Sequence, residues 1–371
     1  MTRRELNLAI FAGTADRPLW QPRLEEWINW NRTRDTLPAR YADLDNSAIY
    51  DDLRCSVRYP FWGLGLNQTS REGLVECWEE PGADENHVVT HHRTGSGTIT
   101  TVRQLVRENG RVVNDRIREF PVKTPQDLRV LMDMVEAQEW TADPAAYAEA
   151  DAQVGPRGEP NMFLNSSGFT DLIKFWAGLP GTYYLLTDAP AVVDEYMEAC
   201  DRRDDRQLEA ALQLPAHIYN LGDHATNEFT PPPILKRYLL PRWQKTARLM
   251  SEHGRYVHTH WDGNSAKILP FLQESGLHGV EALPPLPMGD MTLEEIKAAV
   301  GENIVALDLI PTTHFLEHFS LEECLEFAQR VMEMFTPRLI LGVSDEISGV
   351  GQIQRIEAIS ELVDKLYGLP D

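Results

Sequence analysis

The chain is poor in cysteine, in long apolar runs and in positive charge. Its four cysteines, Cys55, Cys77, Cys200 and Cys324, are scattered with no Cys-x-x-Cys spacing, which excludes a disulfide frame and a zinc knuckle as organising devices. No apolar stretch reaches the ~18 residues that suggest a membrane span. The opening Met1-Thr2-Arg3-Arg4-Glu5, followed by a short apolar stretch broken by Asn7, is unlike a cleavable signal, so a cytoplasmic protein is expected. Lys and Arg total 35 against 57 Asp and Glu, a net charge of −22, which argues against nucleic acid and anionic membrane surfaces as partners. No Gly-x-Gly-x-x-Gly follows a first strand, which counts against a dinucleotide-binding sheet.

What is present is the composition of a globular protein, 42% hydrophobic and 25% charged. From Thr124 onward short apolar runs alternate with helical periodicity. Strands are expected near residues 20, 57, 163, 220, 258, 281, 307 and 341. Strand–helix alternation with short loops means parallel strands joined by crossover helices, and eight units favour a closed (β/α)8 TIM barrel. A single domain over residues 1–371 is expected, carrying an N-terminal β-hairpin insert. That insert is a β-meander over about residues 73–113, punctuated by Pro81-Gly82, by residues 94–97 and by Asn109-Gly110. Within it His91 and His92 are adjacent on a strand and point to opposite faces, which suits no shared ion.

The most informative stretch is Tyr256-Val257-His258-Thr259-His260-Trp261-Asp262-Gly263. With a period of two, His258 and His260 share one face of a strand and the β-branched residues the other. Two imidazoles at a strand end, with an acid two residues on, suit a divalent metal; inward-facing polar lining is the bland alternative. Barrel enzymes gather their chemistry at the C-terminal ends of the strands. Read there, the chain offers Gln21 and Arg23, Asn165 with Ser166 and Ser167, Asp223 and His224, His258, His260 and Asp262, Glu281, Asp308, and Ser344-Asp345-Glu346. His258, His260 and Glu281, on adjacent strands, form the expected zinc set, with Glu281 alternatively a buried carboxylate paired to a barrel arginine. Asp223 and His224 are candidate acid–base groups, or loop and cap residues. Asp345 is a further ligand or a cap. Phe61, Trp62, Phe169 and Trp261, with Asn165, are candidates for lining an aromatic substrate pocket.

These segments resemble the uroporphyrinogen decarboxylase superfamily over nearly the whole length. The resemblance rests on Thr2-Arg3-Arg4-Glu5 with Ala15-Asp16-Arg17-Pro18, on Gly222-Asp223-His224 with Thr230-Pro231-Pro232, on His258-Thr259-His260-Trp261-Asp262-Gly263, on Gly279-Val280-Glu281-Ala282-Leu283-Pro284-Pro285, and on Leu341-Gly342-Val343-Ser344-Asp345. It implies a (β/α)8 barrel and one of two activities, decarboxylation or zinc-dependent, corrinoid-linked methyl transfer. The departures separate them. The decarboxylases grip a tetrapyrrole with an N-terminal arginine pair, whereas residues 20–27 here hold one arginine and two acids. Where the methyltransferases carry His-x-Cys and a distal Cys, this chain has His258-Thr259-His260 and Ser344. A site without thiolates is harder and suits an oxygen-bearing substrate. The resemblance therefore implies an O-demethylase-like enzyme that moves a methyl group from a methoxylated aromatic to cobalamin. The sequence has no Asp-x-His-x-x-Gly corrinoid motif, so that cobalamin would ride on a partner protein. A metal-free decarboxylase of a carboxylated substrate is the alternative, and a homodimer is implied by the same likeness.

Overall fold

The computed structural model describes residues 1–59, 63–108 and 110–370. The chain groups into two compact units. The first comprises residues 1–65, 144–164 and 215–371, and the second residues 66–143 and 165–214.

The first unit is built on seven parallel strands: β1 (Leu19–Trp20), β2 (Asn161–Leu164), β3 (Ile218–Ala225), β4 (Tyr256–Trp261), β5 (Gly279–Glu281), β6 (Val305–Leu307) and β7 (Leu339–Leu341). They pair in the order β1-β7-β6-β5-β4-β3-β2. Helices intervene between successive strands, as the sequence periodicity anticipates, except between β4 and β5. Among the described residues the sheet curls as in a TIM barrel but does not close, which corrects the expected eight-stranded barrel. The expected strand near residue 57 is an extended segment between the two sheet edges. The Ser56 N–H donates to Trp20 O and the Asn161 N–H to Arg58 O, both at 3.0 Å. A regular ladder fails because its groups are diverted. The Val57 N–H turns to Arg157 O, Gln21 Nε2 donates to Val57 O, and Pro160 has no N–H to offer.

The N-terminal ends of the strands are sealed by the helix Arg3–Ala12. Thr2 and Glu5 form a reciprocal capping box at its start, and Gly13 ends it in a left-handed conformation. Its Leu6, Ile10 and Phe11 pack with Leu19, Ile218, Val305, Leu307 and Ile340. With this end filled by apolar side chains, the polar strand residues collect at the other end. Between β4 and β5 residues 266–275 form turns and a short 3₁₀ segment, Leu269–Phe271, in place of a crossover helix. Pro270 removes a donor there.

In the second unit the meander is a four-stranded antiparallel sheet, Glu76–Pro81, His87–Thr94, Gly97–Glu108 and Arg111–Glu119, paired in chain order. It is one strand longer than the expected insert. Leu66–Ser70 pairs with Gln138–Ala142, and the helices Pro125–Ala137 and Pro190–Ala211 pack on each other. Among the described residues no helix is long and apolar enough to cross a membrane.

Close approach at the end of β7 requires a glycine. A Cβ on Gly342 would lie 1.9 Å from Asp308 Oδ1 and 3.0 Å from Gln21 O. Gly342→Ala should therefore cost about 1–3 kcal/mol, as overpacking does, read as a lowered urea midpoint at unchanged m.

Candidate functional site

Strand pleating and one irregularity assemble the site. His258 and His260 share the inner face of β4, as expected, while Trp261 turns to the opposite face and lies against Trp243, with ring centroids 5.8 Å apart. The pairing of β4 with β3 shifts register between Thr259 and His260, so that His260 stands opposite His224 instead of Gly222. Bulges of this kind re-aim side chains. Here the bulge brings the His224 and His260 rings to 4.6 Å between centroids. Asp262, just past β4, lies between them. Its Oδ1 is 2.8 Å from His260 Nε2 and its Oδ2 is 2.5 Å from His224 Nδ1. Among the described residues, His224, His260 and Asp262 form the group whose ligand atoms lie within 4.8 Å of one another. Asp345 Oδ2 stands 3.8 Å from His260 Nε2.

Beneath this cluster is a buried charge network. Glu281 Oε1 accepts from His260 Nδ1 at 2.9 Å and from Asn220 Nδ2 at 2.8 Å. Its Oε2 accepts from Arg58 Nη1 at 2.9 Å and from the Tyr59 hydroxyl at 2.7 Å. Arg58 also grips Asp308 with both terminal nitrogens, at 2.5 and 3.0 Å, and donates from Nε to Gln21 Oε1. Burial pushes the Asp308 carboxyl up to about 6 despite Arg58. Burial also opposes the ionised form of Glu281, but the surrounding His258, His260 and Arg58 hold its carboxyl well below the usual range. For His260, burial disfavours the charged ring, but hydrogen bonds to Asp262 and Glu281 outweigh it and push the pKa up to about 10. His258, deeper and fully buried, is pushed down to about 4 by burial. Its Nε2 lies 2.8 Å from Asn161 Oδ1 and its Nδ1 3.6 Å from Glu281 Oε2.

The expected ligand trio of His258, His260 and Glu281 does not converge on one point. Both oxygens of Glu281 are taken by Arg58, Tyr59, Asn220 and His260, which is the barrel-arginine alternative. Its bond to His260 Nδ1 fixes that ring and aims Nε2 outward. Metal-bound histidines commonly have such a carboxylate behind them. Two imidazoles and a carboxylate are donors that suit zinc with an open position, and His224, His260 and Asp262 fit it.

The other candidates fall elsewhere. Asp223 points to the helix layer, where its Oδ2 accepts from Trp243 Nε1 at 2.8 Å and from Arg242 Nη1 at 3.2 Å. Asn165 and Phe169 belong to the second unit. Asn165 exchanges hydrogen bonds there with Gln207 and donates to Asp204, while Phe169 is buried edge-on to Tyr183. Phe61 and Trp62 lie outside the described residues. Sequence reasoning missed Arg58, Tyr59, Asn161 and Asn220. The ring of Tyr59 stacks on Phe163 at 4.5 Å and carries the Arg23 guanidinium 5.0 Å from its centroid. Arg58 and Tyr59 end the segment expected as a strand near residue 57, and no motif at that end marked them as site residues.

No family model and no curated protein matches the chain. Among solved structures it matches a methyltransferase from Methanosarcina mazei at 13% identity, over 99% of this chain and 99% of that one, with a TM-score of 0.60. The two share a fold. A putative vitamin-B12-independent methionine synthase from Listeria monocytogenes overlaps less, at 13% identity over 61% and 69% of the two chains, with a TM-score of 0.36.

Two outcomes are expected. Arg58→Met leaves two buried carboxylates without their cation and should cost about 3–5 kcal/mol, measured by urea denaturation. In metal-free protein, His260 has a folded pKa of about 10 against about 6.5 unfolded. Its contribution to stability is thus complete below about pH 6.5 and is lost as pH rises toward 10. The stability gap between wild type and His260→Gln should shrink between pH 6.5 and 10.

Proposed function

We propose that this protein is a methyltransferase of the corrinoid-dependent O-demethylase type. Its substrate is a methoxylated aromatic, and the methyl acceptor is a cobalamin carried by a partner protein. The observation that carries the reading is the convergence of His224, His260 and Asp262 at the C-terminal ends of adjacent parallel strands, in a fold shared with a methyltransferase. These three residues would hold the zinc. When bound, the ion supplies Lewis acidity to the ether oxygen and makes the phenolate a better leaving group.

The chain's own residues do the rest. Glu281 accepts from His260 Nδ1 and so leaves Nε2 as the donor atom. Arg58 and Tyr59 hold Glu281 in place. His224 is about a third exposed, and Asp262 holds its ring through Nδ1 at the open side of the site. Asp223 has no such access, since it is buried among Trp243 and Arg242. Tyr59 stacked on Phe163 offers an aromatic surface beside Glu281.

The test combines elemental analysis with an assay of aryl methyl ethers and a reduced corrinoid protein. About one zinc per chain and demethylation are expected in the wild type. His224→Ala and His260→Ala should lose the metal, and activity should fall by more than about a hundredfold. A protein that takes up no metal on zinc reconstitution but decarboxylates a small acid overturns the proposal in favour of a metal-free lyase.

A further inference from the structure

The two carboxylate oxygens of Asp345 have different neighbours. Oδ1 accepts from Arg23 Nη1 at 2.5 Å, and Oδ2 stands 3.8 Å from His260 Nε2, the nitrogen assigned above to the metal. The guanidinium is the fixed member of the pair. Its other terminal nitrogen bonds Glu346, its Cζ lies over the Tyr59 ring at 5.0 Å from the centroid, and its side chain is 15% exposed against 43% for Asp345. Asp345 is therefore the side chain free to shift, and a small shift toward His260 brings its oxygen to the cluster. A tetrahedral ion held by His224, His260 and Asp262 has one place left.

We propose that Asp345 is a fourth, exchangeable ligand of this site, and that Arg23 limits its binding by competing with the metal for the same carboxylate. The inference rests on the reading of His224, His260 and Asp262 as ligands. Two effects of Arg23 act in one direction. It occupies Asp345, and it places a fixed positive charge near the site that a dication must enter. Losing Asp345 should weaken metal binding and losing Arg23 should strengthen it. An ion pair of no functional consequence would leave affinity unchanged in both variants. A pair needed only to shape the site would weaken binding in both. Opposite signs from the two halves of one ion pair are the mark of competition.

The experiment measures zinc and cobalt(II) affinity of the full-length, metal-stripped chain by chelator competition. The cobalt(II) visible spectrum reports the ligand set. Wild type is compared with Asp345→Asn, Arg23→Gln and His260→Ala, with Asp345→Ser and Arg23→Lys as second variants should either first one misfold by circular dichroism. Asp345→Asn should weaken affinity by at least about tenfold and change the cobalt spectrum. Arg23→Gln should tighten binding by about the same factor. Wild-type affinity and spectrum in Asp345→Asn, or weakening in both variants, overturns the proposal while a His260-dependent metal leaves the parent reading intact. A wild type that binds neither metal overturns both.

Discussion

A guanidinium with 1% of its side chain exposed must be neutralised where it sits, and the interior of the curled sheet depends on how Arg58 is neutralised. Its two partner carboxylates come from different strand ends, Glu281 from β5 and Asp308 from just past β6, and Gln21 from the end of β1 takes its Nε. One side chain thus ties together elements that backbone pairing at the open edge does not. The same grip orients Glu281, Glu281 orients His260, and His260 faces Asp262 and His224. Glycine at position 342 is part of this arrangement, since the Asp308 carboxylate occupies the space a side chain would need.

Neighbouring residues acquire different roles through the pleat. Asp223 and His224 are adjacent, yet one is buried against Trp243 and Arg242 and the other joins the cluster. His260 and Trp261 divide in the same way, the imidazole inward and the indole against Trp243. A shift of one residue would exchange each pair. The bulge at Thr259 and His260 decides which residue of β3 stands opposite His260, and so which imidazole completes the cluster.

Much of the framework was legible in the chain itself. Alternating apolar runs and helical periods gave seven of the eight expected strands, the turn residues marked the meander, and the His-x-His alternation placed both imidazoles on one face. The segment around Val57 misled because the alternation of Cys55, Val57 and Tyr59 with Ser56 and Arg58 looks the same whether the backbone pairs or not. Only the missing donor of Pro160 and the side chain of Gln21 show that a regular ladder is interrupted. The meander's fourth strand, Arg111–Glu119, was hidden because it is polar and exposed, with little alternation to read.

The sequence by itself determined the residue types, the parallel α/β plan and the strand ends at which acids and imidazoles collect, because periodicity and turn chemistry are local. Tertiary structure alone decided which of those groups meet. Arg58 and Glu281 are 223 residues apart, and no local pattern relates them. Their meeting occupies Glu281, while the bulge brings His224 beside His260. The candidate centre is therefore His224, His260 and Asp262, because register and long-range charge pairing, properties of the folded sheet, select the partners.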